Sequence, residues 1–179
     1  MTITKAYRLY LFDLDGTLAP MDGSELYPDA AQWLQDNPAA SWMIVTNQGG
    51  IGLRLWMETG GFGDPSKYPT LDSFRARIVA LFPEPMMYER KVIMCARYQS
   101  KKSGEWSPLP EKIGWMSIWH QEWRKPAPGM LRYAMSRKEV APEHTLMIGD
   151  SDEDQQAAAA AGCDFMWAHE FFGREKAQS

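Results

Sequence analysis

Two aspartates stand two residues apart at the end of an apolar run near the start of the chain. Asp13 and Asp15 follow the run YRLYLF and precede Gly16 and Thr17. On a turn that glycine opens, both carboxylates can face one centre. One can then attack a substrate or bind a metal ion while the other moves a proton. The alternative is an ordinary connection between a strand and a turn, because Asp-Gly is a common turn pair.

A second acidic group, GDSDED, begins at residue 149. Clustered carboxylates are the ligands that a hard cation such as Mg²⁺ takes in proteins. The alternative is helix capping, which acidic residues and serine favour at a helix N-terminus. We expect Asp152 and Glu153 to act only in capping. Asp150, at a strand end, is the better candidate ligand, and Asp154 would support it or bind in the outer shell.

Further polar residues could hold a phosphate group. Thr46 and Asn47 follow the apolar run WMIV, and a hydroxyl with adjacent backbone N–H groups can bind a phosphoryl oxygen. Lys125 lies in RKPAPGM, where prolines stiffen the loop and fix the direction of an ammonium that could neutralise a transferring phosphoryl group. Taken singly, the first pair also fits a polar strand end, and Lys125 also fits a solvated lysine before a helix.

The elements that must position these residues alternate between strands and helices. The apolar runs predict strands over Tyr7–Phe12, Trp42–Val45, Lys91–Ala96, Leu146–Ile148 and Asp164–Trp167. Helical spacing predicts helices over Pro28–Gln35, Leu71–Phe82, Gly129–Lys138 and Glu153–Ala161, with a loop over 60–70 and an irregular insertion over about 97–124. The pattern predicts an α/β fold: an open parallel sheet of about five strands with helices on both faces.

The predicted positions of the strand ends place these polar residues close to one another. Asp13, Thr46 and Asp150 each fall at the carboxyl end of a predicted strand. In open parallel sheets, ligands bind outside the carboxyl ends of the strands. The sequence therefore predicts one candidate site at this edge.

Length and composition suit one compact domain over residues 1–179. The chain has 179 residues, of which 45% are hydrophobic and 23% charged. No stretch is long and apolar enough for a membrane helix, and Asp13 and Asp15 interrupt the N-terminal apolar run, so we expect neither membrane association nor a signal peptide. Two cysteines are too few for a disulfide framework or a zinc cluster, so a cytoplasmic location is expected.

The net charge of −4 hides an uneven distribution. Residues 86–138 carry eleven basic and four acidic side chains, whereas residues 139–179 carry two basic and nine acidic ones. A basic middle segment between acidic flanks indicates a local field that would attract an anionic ligand.

In four segments, the sequence resembles phosphatases of the haloacid dehalogenase (HAD) superfamily. These segments are DLDGT at 13–17, the strand leading into Thr46 and Asn47, Lys125 in RKPAPGM, and GDSDED at 149–154, in the order of that family. The resemblance implies a Rossmann-like HAD fold and phosphoryl transfer in two steps. Asp13 would be the nucleophile that forms an aspartyl-phosphate, and Asp15 would be the acid and base.

The resemblance also implies a magnesium cofactor and a set of phosphate-binding residues. Magnesium would be bound by the Asp13 carboxylate, the Asp15 backbone carbonyl and Asp150. Thr46, Asn47 and Lys125 would hold the phosphoryl oxygens. Asp15 must carry a proton at the start, which calls for a neighbouring carboxylate or a dry pocket.

The segments TNQGGIG and RKPAPGM are most similar to one branch of the superfamily, whose members have little or no cap. It includes histidinol-phosphate phosphatase, heptose-bisphosphate phosphatase and the 3′-phosphatase domain of polynucleotide kinases. The two small-molecule enzymes typically carry a zinc loop of one histidine and three cysteines before the RKP motif. Residues 97–124 depart from this pattern, since they contain His120 and no cysteine.

In place of the zinc loop stands a basic segment rich in tryptophan. Its side chains are Arg97, Lys101, Lys102, Lys112 and Arg124, with Trp106, Trp115, Trp119 and Trp123. Cations and stacking aromatics hold single-stranded nucleic acid, so a polynucleotide 3′-phosphate is one predicted substrate, with Arg124 as a substrate-binding residue. The four-residue spacing of the last three tryptophans also fits a helix that packs into the core.

Two alternatives to the polynucleotide substrate remain open. One is a nucleotide, sugar or histidinol-type phosphate, and the other is a non-catalytic phosphate-binding module on the same fold. The sequence has no Gly-x-x-x-x-Gly-Lys-Ser/Thr loop, so any kinase partner would be a separate chain.

Overall fold

A five-stranded parallel sheet organises the molecule. The structure, a computed structural model, describes residues 6–83, 87–111 and 117–175. The strands are β1 (Leu9–Phe12), β2 (Trp42–Asn47), β3 (Val92–Cys95), β4 (Thr145–Gly149) and β5 (Asp164–Trp167). They pair in the order β3-β2-β1-β4-β5, and every pair is parallel. The predicted open parallel α/β sheet is confirmed.

Helices cover both faces of this sheet. They are α1 (Pro28–Asp36), α2 (Gly49–Gly60), α3 (Leu71–Leu81), α4 (Met87–Lys91), α5 (Gly129–Lys138), α6 (Asp152–Ala161) and α7 (Ala168–Phe172). Alternate residues of β1 point to opposite faces, as strand geometry requires. Phe12 packs with residues of α1, α3 and α7, whereas Leu11 packs with residues of α5 and α6.

Helix α2 is not among the predicted elements. Four of its twelve residues are glycine, which has a low helix propensity and adds no side chain to an apolar pattern. Ile51 and Leu55 nevertheless pack on the core, and that tertiary burial is what helices of weak propensity depend on. The helix matters for the site because only Gln48, its N-cap residue, separates it from the end of β2.

The described residues between β3 and α5 are largely irregular, as predicted. Gln99 and Trp106 form an isolated antiparallel bridge, and two 3₁₀ turns cover Ser117–Trp119 and Gln121–Trp123. The alternative of one α-helix through Trp119 and Trp123 is therefore wrong for the described residues, because the two lie in separate turns. Lys112 and Trp115 lie outside the residues that the structure describes.

The described tryptophans of this segment have different environments. Trp119 is 8% exposed and packs in the core, while Trp123 lies against Tyr133 with ring centroids 5.1 Å apart. Trp106 is half-buried, and the guanidinium of Arg97 lies 5.9 Å from its ring centroid. Of these three, only Trp106 lies in a pocket beside Lys125.

Among the described residues, no helix combines the length and the apolar character that crossing a bilayer requires.

Candidate functional site

Three adjacent strands bring the predicted polar residues to one edge of the sheet. Asp13 directly follows β1, and Asp150 directly follows β4. Strand β2 extends two residues beyond its predicted end, so that Thr46 and Asn47 are its last residues. Because β2, β1 and β4 are neighbours and run in parallel, their carboxyl ends lie side by side. The predicted convergence at this edge is confirmed for these strand ends.

Lys125 lies at the centre of the site, where it joins two aspartates. Its Nζ is 2.6 Å from Oδ1 of Asp13 and 2.6 Å from Oδ1 of Asp154. The ammonium also donates a hydrogen bond of 2.8 Å to the carbonyl oxygen of Val45. The contacts with Asp13 and Val45 are hydrogen bonds, and the contact with Asp154 is an ion pair. Lys125 is therefore not the solvated lysine of the alternative interpretation.

Asn47 holds the backbone of Lys125 in place. Its amide nitrogen donates to the carbonyl oxygen of Lys125 at 2.9 Å, and its amide oxygen accepts from the backbone N–H of Lys125 at 3.0 Å. This pair of bonds fastens the proline-containing loop before α5 to the end of β2. The Asn47 side chain thus acts on the lysine backbone in this arrangement, and its predicted contact with a phosphoryl oxygen remains a prediction.

Burial and charge set the electrostatics of the buried pair. Burial raises the pKa of Asp13 to about 7, although the nearby ammonium of Lys125 opposes this rise. Burial also tends to lower the pKa of Lys125, but attraction to Asp13 and Asp154 outweighs it and holds that pKa above its usual value. Lys125 is therefore a cation held between two carboxyl groups that water barely reaches.

Three carboxylates are placed where a cation could bind. One oxygen each from Asp13, Asp150 and Asp154 lies within 4.8 Å of the other two. These are hard oxygen donors of the kind that Mg²⁺ takes, and they face a single lysine, so their charge fits a divalent cation. The set contains the predicted ligands Asp13 and Asp150. It includes Asp154, which was expected in a supporting role, and does not include the Asp15 carboxylate.

Gly16 makes room for one of these carboxylates. Its φ is +80°, a left-handed conformation that favours glycine, and a Cβ at this position would collide with the carboxylate of Asp150. The glycine of the DLDGT segment therefore serves the site as well as the turn.

Asp154 has two functions at the start of α6. Its Oδ2 accepts hydrogen bonds from the hydroxyl and backbone N–H of Ser151, at 2.7 and 3.2 Å, and the Ser151 hydroxyl accepts from the backbone N–H of Asp154. This reciprocal pair is a capping box. Asp154 therefore caps α6, and its other carboxylate oxygen contacts Lys125, while its part in binding a cation remains a prediction.

Asp15 has partners that the sequence did not predict. Its Oδ1 accepts from Nη2 of Arg77 at 2.6 Å, and its Oδ2 accepts from Nε2 of Gln48 at 2.9 Å. We expected a carboxylate or an apolar pocket beside Asp15, and instead the structure places a cation there. Gln48 could have been predicted as a residue of the site, because it directly follows Asn47 in the sequence. Arg77 carries no such local signal, because a charged residue on an amphipathic helix usually faces solvent.

The other two predicted residues, Thr46 and Arg124, have different environments. The buried hydroxyl of Thr46 accepts a hydrogen bond of 3.1 Å from Gln48. Arg124 donates from Nη1 to the carbonyl oxygen of Arg97 at 3.2 Å and lines a cavity of about 280 Å³. Other residues of this cavity are Gln99, Lys101, Trp106, Gln121, Lys125 and Glu153.

Known proteins resemble this chain in part of its sequence. A family model described as HAD-hydrolase-like matches residues 122–170. A D-glycero-beta-D-manno-heptose-1,7-bisphosphate 7-phosphatase from Mesorhizobium japonicum is 28% identical over 125 residues, which are 70% of this chain and 48% of that protein. The chain thus spans about half the length of this curated relative.

Two solved structures share the fold. One is named as a HAD-like phosphatase from Mesorhizobium loti, with 24% identity and a TM-score of 0.59 over 88% of this chain and 70% of that chain. The other is D,D-heptose 1,7-bisphosphate phosphatase from B. bronchiseptica complexed with magnesium and phosphate, with 22% identity and a TM-score of 0.56 over 88% and 78% of the chains.

The fold, the site and the partial sequence matches agree with one another. The molecule is an α/β protein with a carboxylate-lined site at the carboxyl edge of a parallel sheet. The HAD-hydrolase-like family model and the phosphatase relative match parts of this chain, and the two solved structures share its fold.

Proposed function

We propose that the protein is a magnesium-dependent phosphomonoester hydrolase in which Asp13 is the nucleophile. The observation that carries this proposal is the position of Asp13, which touches a buried ammonium at 2.6 Å and shares a site with the carboxylates of Asp150 and Asp154. A nucleophilic carboxylate between a fixed cation and a candidate metal site is suited to phosphoryl transfer, in which positioning and charge neutralisation supply most of the catalysis.

The first step transfers the phosphoryl group to Asp13. One carboxylate oxygen of Asp13 forms a bond to phosphorus, the bond from phosphorus to the leaving oxygen breaks, and Asp15 gives that oxygen its proton. In the second step, Asp15 takes a proton from water, the water oxygen bonds to phosphorus, and the aspartyl-phosphate bond breaks. Phosphate and an alcohol are the products, and both aspartates return to their starting state.

The remaining residues bind and neutralise the phosphoryl group. Thr46 lies near the end of β2, the strand next to β1, and Lys125 contacts Asp13 at 2.6 Å. Asp13, Asp150 and the Asp15 backbone carbonyl are the proposed magnesium ligands, with Asp154 completing the carboxylate group. The bound cation would offset negative charge on the phosphoryl oxygens.

Hydrolysis of p-nitrophenyl phosphate with and without magnesium tests the activity. We expect Asp13→Asn to lower kcat/KM by at least ~10³-fold, because the nucleophile is lost, while the thermal unfolding transition remains cooperative. Asp36→Asn, on the exposed end of α1, is the control and should retain activity. Equal rates from the wild-type protein and Asp13→Asn would instead support a non-catalytic phosphate-binding module.

For the substrate, we propose a small phosphorylated molecule of the sugar phosphate type. The cavity beside Lys125 has a volume of about 280 Å³, which suits a small polar group. Its lining combines Arg124 with amide side chains and the half-buried ring of Trp106. The similarity to a heptose-bisphosphate phosphatase supports the same class.

A second candidate substrate is a polynucleotide 3′ end. It is supported by Lys101 and Trp106 in the same cavity and by the adjacent Lys102, a combination that can bind a nucleic acid backbone and stack on a base. A panel of sugar phosphates, nucleotides, histidinol phosphate and 3′-phosphorylated oligonucleotides distinguishes the candidates. Higher kcat/KM for the oligonucleotides, falling steeply with salt, would overturn the sugar phosphate proposal.

We also propose a reducing, cytoplasmic location. Cys95 and Cys163 are both buried as free thiols, which fits a protein that does not depend on disulfides.

A further inference from the structure

We propose that Arg77 is a positioning residue that holds the carboxyl group of Asp15 for proton transfer to the leaving oxygen. This inference rests on the proposed hydrolysis, in which Asp15 is the acid and base. It assigns a role in the reaction to a residue of helix α3 that lies outside the four segments of the family resemblance.

Arg77 reaches from α3 to the loop that follows β1. Its Nη2 donates to Oδ1 of Asp15 at 2.6 Å and to the carbonyl oxygen of Pro20 at 3.0 Å, and its Nε donates to the carbonyl oxygen of Gly23 at 2.8 Å. The guanidinium is planar and rigid, so three bonds to one loop fix its orientation. The side chains of Arg77 and Asp15 are 13% and 14% exposed, so water competes little for the pair.

Gln48 fixes the other oxygen of the same carboxyl group. It donates from Nε2 to Oδ2 of Asp15 at 2.9 Å and to Oγ1 of Thr46 at 3.1 Å. The carboxyl group of Asp15 is thus held at both oxygens, from β2 on one side and α3 on the other. Proton transfer needs this restriction, because a misplacement of about 1 Å can cost ~10² in rate, and the guanidinium also stabilises the carboxylate that Asp15 becomes once it has given up its proton.

A cavity adjoins the two residues that contact Asp15. Arg77 and Gln48 line a cavity of about 390 Å³ together with Asp22, Ser24 and Ser73. The two residues that contact Asp15 therefore also border this cavity.

The experiment compares substrates that differ in their need for an acid. An alkyl phosphate such as glycerol phosphate releases an alkoxide that must be protonated, whereas p-nitrophenyl phosphate releases a stable phenolate. We expect Arg77→Ala to lower kcat/KM by roughly 10²-fold for the alkyl phosphate and by less than about 10-fold for p-nitrophenyl phosphate. Arg75→Ala is the matched control, because Arg75 lies on the same helix in an ion pair with Asp72 at 3.7 Å and should affect both substrates little.

A double variant tests whether Arg77 acts through Asp15. If it does, Arg77→Ala combined with Asp15→Asn should hydrolyse the alkyl phosphate no more slowly than Asp15→Asn alone. An equal loss on both substrates for Arg77→Ala, or additive losses in the double variant, would overturn the inference and leave Arg77 with a structural role. Absence of any hydrolysis by the wild-type protein would instead defeat the proposed function.

Arg77→Lys and Gln48→Ala keep the test informative if Arg77→Ala fails to fold. Lysine keeps the charge but cannot reach Asp15, Pro20 and Gly23 together, and Gln48→Ala frees the other carboxylate oxygen. Both should show the same greater loss on the alkyl phosphate. Equal losses on the two substrates in both variants would count against the inference as well.

Discussion

Nζ of Lys125 lies 2.6 Å from Oδ1 of Asp154, and their side chains are 3% and 1% exposed. The same nitrogen lies 2.6 Å from Oδ1 of Asp13. One buried cation therefore serves two buried carboxylates, which belong to segments more than a hundred residues apart in the sequence. The lysine ties the start of α6 to the end of β1, so it contributes to stability as well as to the site.

Removing this lysine charge should destabilise the protein. Lys125→Met leaves Asp13 and Asp154 buried without their cation, and breaking a buried pair in this way typically costs about 3–5 kcal/mol. Urea unfolding in EDTA measures the change in the free energy of unfolding.

The double variant Lys125→Met with Asp154→Asn is the control for this mechanism. It removes one of the two uncompensated carboxylates, so its loss should be smaller than the sum of the two single losses by about 1–3 kcal/mol. Additive losses would mean that Lys125 and Asp154 do not interact energetically.

The two hydrogen bonds between Asn47 and the backbone of Lys125 predict that substitutions of Asn47 will lower stability and kcat by graded amounts. Asn47→Ala removes both bonds and should lower the free energy of unfolding by about 1–3 kcal/mol, and it should also lower kcat because the lysine loop is released. Asn47→Asp retains the acceptor for the Lys125 N–H and loses only the donor, so it should fall between the wild-type protein and the alanine variant. An alanine variant with unchanged stability and kcat would contradict the positioning role of Asn47.

How far the sequence predicts this site depends on the range of the interactions. Asp13, Thr46 and Asp150 were predictable because each follows an apolar run, and parallel strands end at the same edge. The contact of Arg77 with Asp15 was not, because 62 residues separate them and only the packing of α3 on the sheet brings them together.

Whether a helix could be predicted also depends on the range of the interactions that stabilise it. Helix α3 was predicted within one residue, because Leu71, Phe74 and Ile78 have helical spacing and Pro83 follows its end. Helix α2 was missed, since its glycines carry no apolar pattern and its stability comes from the packing of Ile51 and Leu55 on the core. Local pattern therefore indicated the strand ends of the site, and tertiary packing determined the partners of its side chains.

The ion pair between Arg174 and Asp29 predicts a dependence of stability on pH. Arg174 contacts both carboxylate oxygens of Asp29 at 2.6 Å. Burial tends to raise the pKa of Asp29, but the hydrogen bonds and charge of Arg174 outweigh it and hold that pKa below its usual value of 3.8. The unfolded chain therefore binds this proton more readily, so the pair stabilises the folded protein above that pH and its contribution fades as the pH falls through the lower folded-state pKa.

Urea unfolding of the wild-type protein and Arg174→Ala over a pH series measures this contribution. The difference in the free energy of unfolding should be largest at about pH 6 and should shrink towards about pH 3. Asp29→Asn removes the same titrating group, so its difference from the wild-type protein should narrow over the same range. A difference between the wild-type protein and Arg174→Ala that is the same at every pH would assign the effect to the other contacts of Arg174.

The close approach of Gly16 to Asp150 predicts that a single methyl group will disturb cation binding. Gly16→Ala forces alanine into a left-handed conformation and drives its Cβ against the Asp150 carboxylate, so it should weaken Mg²⁺ binding and lower activity. Gly61→Ala is the matched control, since Gly61 has a φ of +64° and no atom within 4 Å of its added Cβ. Both variants should lose about 1–2 kcal/mol of stability from the backbone alone, but only Gly16→Ala should shift the magnesium titration, measured by calorimetry. Mg²⁺ binding by Gly16→Ala that matches Gly61→Ala would show that Asp150 does not hold the cation from its position beside Gly16.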